Sequence, residues 1–275
     1  MVHKRNSLVR VFFLFYIILC GVSCRPRVIR RMQRVKDPSL ARVQVNGKLI
    51  VGIQQYYPPY TTQFHTQFLG FDIDVARAVA HELNIAIEFK GLSWTEMETA
   101  LANQKIDCIW TGADPKDFAD LGVISSEPYL TTTLVACVPK NSIYTSLPEM
   151  KNTDIGFISL ADTLLSAGVM ETLLRDYPNI IIYHDLTVAL DALKRKKIDA
   201  MVGDIFTLMS LKERGEDFIL IREPLKRRSC SVIFNKNDET LCNKINEALL
   251  KLEYEGTLEA ISRKWFGANV IILGK

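Results

Sequence analysis

From Lys48 onward the chain alternates short apolar, β-branched runs with longer amphipathic stretches, and it does so twice. "KLIVGI", "IAIEF" and "IDCIW" read as strands, with helices expected over 72–84 and 94–103 between them. "DIGFI", "NIIIYH" and "IDAMVGD" read as three more, with helices over 162–176 and 187–196. Parallel strands need a crossover, and a helix supplies it, so each block predicts a parallel sheet covered by helices. The tripeptide Lys-Ile-Asp recurs at 105–107 and 197–199, at the end of the second helix of each block. Two α/β lobes of like design follow.

Between the blocks lies "TTTLVACVPKNS", and after the second lies "CSVIFNKND", both extended in character. They place one crossing between lobes near Thr131 and the return near Ser229. The chain then closes with helices over about 239–253 and 257–265 and the run "KWFG". The expected division is lobe 1 over 46–130 and 229–275, and lobe 2 over 131–228. A cleft between two lobes joined by two segments is where a small ligand sits, reached from the carboxyl ends of the strands.

The first residues are of another kind. Lys4, Arg5 and Arg10 precede 14 residues without a charge, too few for the roughly 20 that span a bilayer. A basic start, a short apolar core and the small-residue exit "GVSC" read as a secretory signal over 1–23. The exit resembles a bacterial lipobox, with Cys24 as the lipidated residue and Gly21 where leucine is usual. After Cys24 comes "RPRVIRRMQRVK", six positive charges and no negative one, and residues 24–45 read as a basic tether near an anionic membrane surface. Setting aside the leader's three charges and the tether's six turns the formal +3 into about −6, so the pI of 8.4 belongs to the leader and tether. With no basic patch interleaved with aromatics in the folded part, nucleic acid is not an expected partner. Cys108, Cys137, Cys230 and Cys242 show no CxxC spacing, which argues against zinc. They read as buried thiols, with a Cys137 to Cys230 bridge as the alternative in an oxidising compartment.

One segment, "LGFDIDVARAVAHEL" at 69–83, puts a glycine and two acids directly before an apolar stripe of Ile73, Ala76, Ala80 and Leu83. Asp72 and Asp74 fall in the first turn, where acids oppose the positive end of the helix dipole. The segment also resembles the defining motif of the family 3 extracellular solute-binding proteins, the polar amino-acid receptors of bacterial ABC importers. "YYPPY", "KIDCIW", "SSEPY", "KKIDAMVGD" and "KWFG" follow that family's order and spacing. The resemblance covers roughly residues 46 to 267. It implies a two-lobed periplasmic-binding-protein fold of type II, an α/β fold with a two-segment hinge. It further implies a monomeric, cofactor-free receptor for a small polar solute, an amino acid or related amine, which works with a membrane ABC permease.

Transferred position by position, the resemblance makes Tyr57 the ligand-stacking aromatic, Trp94 a second cleft aromatic, and Asp204 the acid that holds an ammonium group. Asp199, earlier in the same strand, reads as structural. The family's loop G-x-S-x-T-x-x-R, whose arginine clamps a carboxylate, here reads "GADPKDFA" from Gly112. Asp114 stands at the serine, Lys116 at the threonine and Ala119 at the arginine, so the clamp is missing. A guanidinium fork and a methyl group share no binding chemistry. Lys116 is the candidate replacement cation, and Asp114 the candidate second anion for a cationic ligand. The G-[ST]-T loop of the second lobe is replaced by "SLADT", with Thr163 the nearest hydroxyl. Gln54 stands where receptors for basic amino acids tend to carry an acid. The candidate ligand set is therefore Tyr57, Trp94, Gly112, Asp114, Lys116, Thr163 and Asp204. The alternatives are a cyclic-acid dehydratase on the same fold, which needs a general acid or base that neither His65, after "YYPPY", nor His184, at a strand end, supplies from a recognisable motif, and a sensor that has lost amino-acid binding.

Overall fold

The computed structural model describes residues 37–158, 175 and 177–274, which form one compact unit from Asp37. Cys24 and Thr163, and with them the leader and the "SLADT" loop, lie outside the described residues.

The first block folds as read. Strand β1 (Lys48–Ile53) pairs in parallel with β5 (Ala86–Gly91) on one side and β6 (Cys108–Ile109) on the other. Helices α2 (Phe71–Glu82) and α3 (Trp94–Ala102) make the crossovers. Antiparallel β13 (Ile233–Asn235) and β7 (Val123–Ser125) complete a sheet ordered β5-β1-β6-β13-β7. Between β1 and α2 the chain makes a small antiparallel sheet of β2 (Tyr56–Tyr57), β3 (Thr61–Phe64) and β4 (Gln67–Leu69). Its strands are too short to show an alternation in sequence, and it was not expected.

The second sheet runs β10-β9-β11-β8-β12. Here β9 (Ile155–Ile158) lies parallel to β10 (Ile180–Tyr183) and β11 (Ala200–Asp204), with α4 (Leu186–Lys194) between β10 and β11. The long strands β8 (Leu130–Pro139) and β12 (Phe218–Cys230) pair antiparallel along its edge, and α5 (Ile205–Glu213) leads from β11 toward β12. In that ribbon Ser229 stands opposite Thr131, so the two expected crossing points are register partners.

The repeated Lys-Ile-Asp has one structural job in each half. Asp107 accepts the Ile50 N–H at 2.8 Å and returns its own N–H to the Ile50 carbonyl at 2.7 Å. Asp199 does the same for Asp154, at 3.0 and 2.7 Å. The isoleucine before each aspartate presses on a glycine of its block's first strand. A Cβ on Gly52 would lie 2.5 Å from Ile106 Cδ1, and one on Gly156 would lie 2.4 Å from Ile198 Cδ1. The tripeptide thus locks the third strand of each block to the first.

Helix α2 buries a wider face than its sequence stripe. Ile73, Ala76 and Ala80 are buried, and so are Phe71, Asp72, Val75 and Val79. The chain tail closes over it as α6 (Glu239–Tyr254) and α7 (Thr257–Phe266). The folded body begins earlier than the expected residue 46, with α1 (Ser39–Asn46) lying against α6. Asp37 and Ser39 accept the N–H groups of Thr240 (2.5 Å) and Leu241 (3.2 Å), so they satisfy donors that the start of α6 would leave bare. The tether was expected to run to 45; its last seven residues, 39–45, instead lie in a helix whose start caps the beginning of α6. Cys137 and Cys230 are separate buried thiols, and no bridge forms between them. Among the described residues no helix is long and apolar enough to cross a membrane.

Candidate functional site

The carboxyl end of β11, the ribbon of β8 and β12, the loop after β6 and the turn after β2 converge at one buried point. Asp204 is its centre and is 2% exposed. Its carboxylate accepts from Thr132 Oγ1 at 2.6 Å, Tyr60 Oη at 3.0 Å, and the backbone N–H groups of Phe206 and Thr207 at 3.0 and 3.3 Å. The last two bonds make it the N-cap of α5, a position that favours aspartate. Tyr60 comes from the first half of the fold and Asp204 from the second, so this acid joins the two. Burial pushes its carboxyl up; the hydrogen bonds and Arg228 work against that push.

Tyr57 is buried, and its ring stacks on Tyr60 with centroids 5.1 Å apart. Burial and the nearby Asp204 charge drive its phenol well above the ordinary range. Gly112 approaches both rings: a Cβ there would sit 3.1 Å from Tyr57 and from Tyr60, and its φ of +61° favours glycine. Its N–H donates to Asp72 at 2.5 Å, and Asp72 also accepts from Tyr129 Oη at 2.9 Å. The acid in the first turn of α2 therefore does more than oppose a dipole. It ties the helix to the loop after β6 and to the tyrosine of "SSEPY". Asp74 reaches the other way, to Lys264 Nζ at 2.6 Å and Trp265 Nε1 at 2.8 Å, so the first motif holds the closing "KWFG".

The remaining sequence candidates fall in different surroundings. Asp114 is buried and accepts the N–H groups of Lys116 (3.0 Å) and Ser229 (3.1 Å), pinning its loop to the return strand. Lys116 is exposed. Trp94 is 7% exposed and packs against Phe118, with centroids 4.9 Å apart. It lines a cavity of about 560 Å³ whose walls come from both halves: Gln54, Tyr56 and Glu96 on one side, His184 and Asp185 on the other.

Sequence reading missed Arg228. It is 5% exposed and is the one basic side chain among the buried described residues. It stands opposite Thr132 in the ribbon and forms a buried ion pair with Asp117, from the loop after β6. Asp117, Tyr57 and Asp204 all hold its guanidinium firmly protonated against the cost of burial. In sequence it is one of three consecutive basic residues, Lys226, Arg227 and Arg228, and nothing local marks which of them points inward. The signal available was strand alternation on β12, had that strand been recognised.

A guanidinium and a carboxylate buried within one polar cluster, beside two stacked tyrosines, suit a small solute that carries both charges. Comparison with known proteins agrees with the geometry. The chain is 26% identical over 237 residues to the L-cystine-binding protein TcyJ of Escherichia coli (strain K12), covering 84% of this chain and 87% of that protein. It is 24% identical over 223 residues to the arginine-binding extracellular protein ArtP of Bacillus subtilis (strain 168), covering 80% and 86%. Among solved structures it resembles Tv2483 bound to L-arginine, with TM-score 0.78, 26% identity and coverage of 87% of this chain and 98% of that one. It equally resembles a substrate-binding protein of an ABC uptake transporter from Streptococcus pneumoniae with bound histidine, with TM-score 0.78, 27% identity and coverage of 85% and 98%. These structures share the two-lobed type II fold of the periplasmic binding proteins, and that is the architecture of this chain. A family model matches residues 49–268, and with the ordered motifs and the fold it establishes that the chain belongs to the bacterial extracellular solute-binding proteins, family 3.

Proposed function

We propose that this chain is the receptor of a bacterial ABC importer and binds an amino acid or related amine between its two lobes. The observation that carries this reading is the meeting of both halves on one acid, Asp204, with the guanidinium of Arg228 in the same cluster. Asp204 is the ammonium partner. Four donors already fill its carboxylate, about as many as it can accept, so an incoming ammonium takes the place of a hydroxyl, Tyr60 or Thr132. Arg228 takes the part of the missing loop arginine, and Asp117 is the counterion it keeps while no ligand is bound. A solute touching both lobes stabilises the closed arrangement by its differential affinity for it, and the permease reads that arrangement. The protein works as a monomer outside the cytoplasmic membrane, held there by the basic tether and by lipid on Cys24.

The test is a thermal-shift and calorimetric screen of the purified protein against amino acids and amines, after unfolding and refolding to strip carried-over ligand. A ligand at 100 times its Kd should stabilise by about 2.7 kcal/mol. Asp204→Asn keeps a capping side chain for α5 and removes the charge. It should weaken an amine ligand by about 2–5 kcal/mol while the protein stays folded. Undiminished affinity in that variant would remove Asp204 from the site.

A further inference from the structure

The guanidinium that a solute's carboxylate would need already holds a carboxylate of the protein. Arg228 pairs with Asp117, both side chains almost wholly buried. The backbone fixes this meeting. The loop after β6 is fastened to the return strand twice: the Ala113 carbonyl accepts the Ser231 N–H at 2.9 Å, and Asp114 Oδ2 accepts the Ser229 N–H at 3.1 Å. Asp114 also turns the loop, since its Oδ1 accepts the Lys116 N–H at 3.0 Å and its carbonyl accepts the Asp117 N–H at 2.9 Å. Asp117 is thereby set against the residue before Ser229, which is Arg228. Across the ribbon Arg228 stands opposite Thr132, whose hydroxyl donates to Asp204. Guanidinium and acid are thus the neighbours that the carboxylate and ammonium of one amino-acid head group would bridge.

A solute carboxylate can reach Arg228 only as a rival of Asp117. If it displaces Asp117, that acid loses a partner it depends on: burial pushes its carboxyl up, Arg228 works against that push, and the Asp114 charge adds to it. Separating a buried ion pair leaves a charge uncompensated, and this offsets the gain from the new pair. If Asp117 stays, two carboxylates crowd one guanidinium and repel each other. Either way the α-carboxylate adds little to affinity, while an ammonium group on Asp204 keeps its full attraction.

We propose that Asp117 determines head-group specificity: it stands in for the solute's α-carboxylate on Arg228, so that a primary amine binds about as well as the amino acid with the same side chain. The proposal rests on the receptor reading and narrows its solute class to ligands recognised by their ammonium, with the carboxylate optional. Asp117 acts through Arg228 and needs no contact with the solute. The loop expected to carry a carboxylate-clamping arginine carries instead an acid that occupies the clamp.

The experiment is calorimetric titration of the refolded protein with pairs that differ by loss of the carboxylate: L-arginine and agmatine, L-histidine and histamine, L-cystine and cystamine. In the wild type the members of a binding pair should lie within about tenfold of each other in Kd. Asp117→Asn keeps the size of the side chain and removes its charge, which leaves Arg228 to the solute. There the amino acid should gain at least about tenfold on its amine. Asp117→Glu restores a carboxylate and should move the ratio back toward the wild-type value. A loop merely loosened by substitution would weaken both members alike and leave the ratio unmoved. An unmoved ratio in Asp117→Asn, or a wild-type preference for the amino acid beyond the stated limit, would overturn the proposal and leave the receptor reading standing. Should Asp117→Asn not fold, the wild-type ratio decides by that same limit. Binding by no member of any pair would overturn both.

Discussion

At the scale of single residues, the acids of this protein divide by what surrounds them. Asp72 is fully buried, and burial pushes its carboxyl up to about 7, with the bonds from Tyr129 and Gly112 only partly offsetting it. Its pKa is higher folded than unfolded, so the folded state holds the extra proton between about pH 4 and pH 7. Stability from this group is therefore lost as pH rises through that window. The loss between pH 5 and pH 8 is on the order of 3 kcal/mol. Urea unfolding at those two pH values should show that decline in the wild type and much less of it in Asp72→Asn. An equal decline in both would place the pH dependence elsewhere. That Asp72 opens a helix was legible from its place in the motif. That it is buried and serves two loops was not, because Gly112 and Tyr129 come near it only once the sheet has formed.

At the scale of elements, the strongly periodic ones were legible, and those held by distant partners were not. Strand β1 matches its sequence reading residue for residue, and α3, α4, α6 and α7 fall within about two residues of theirs. Helices α1 and α5 went unread for different reasons. Helix α5 follows β11 without a break, and its apolar residues are spread around it rather than gathered in a stripe. Helix α1 is held by what it does for α6. At Asp37, burial works to raise the carboxyl, but the hydrogen bonds from Thr240 and Ser39 outweigh it and the pKa falls below its ordinary value. Replacing Asp37 with alanine should cost about 0.5–2 kcal/mol, as loss of a helix cap does. Amide exchange should then speed up first at Thr240 and Leu241. Unchanged exchange there would mean that α1 is held by its apolar face alone.

For the whole molecule, the question is what joins the halves when no solute does. The Tyr60 hydroxyl on Asp204 is one such link, and Phe266 packing against Phe206, with centroids 4.6 Å apart, is another. Tyr60→Phe keeps the ring that stacks on Tyr57 and deletes only the cross-lobe bond, worth about 0.5–1.5 kcal/mol. Small-angle scattering of the ligand-free variant should give a larger radius of gyration than the wild type, and ligand should bring the two together. Equal radii without ligand would show that the hydroxyl does not hold the lobes closed.

The sequence by itself determined the two α/β blocks and the family, because these rest on local periodicity and on motifs in fixed order. The resemblance singled out Tyr57, Asp204 and Trp94 as ligand-binding candidates; the structure puts the first two in one buried cluster and the third on the wall of a cavity. Only the tertiary structure decided that Arg228 turns inward while Lys116 faces solvent, and that Asp114 serves its own loop. The physical reason is that a charge's role depends on what desolvates it and what pairs with it. For these residues the partners lie as far apart in sequence as Asp117 and Arg228, or Tyr60 and Asp204.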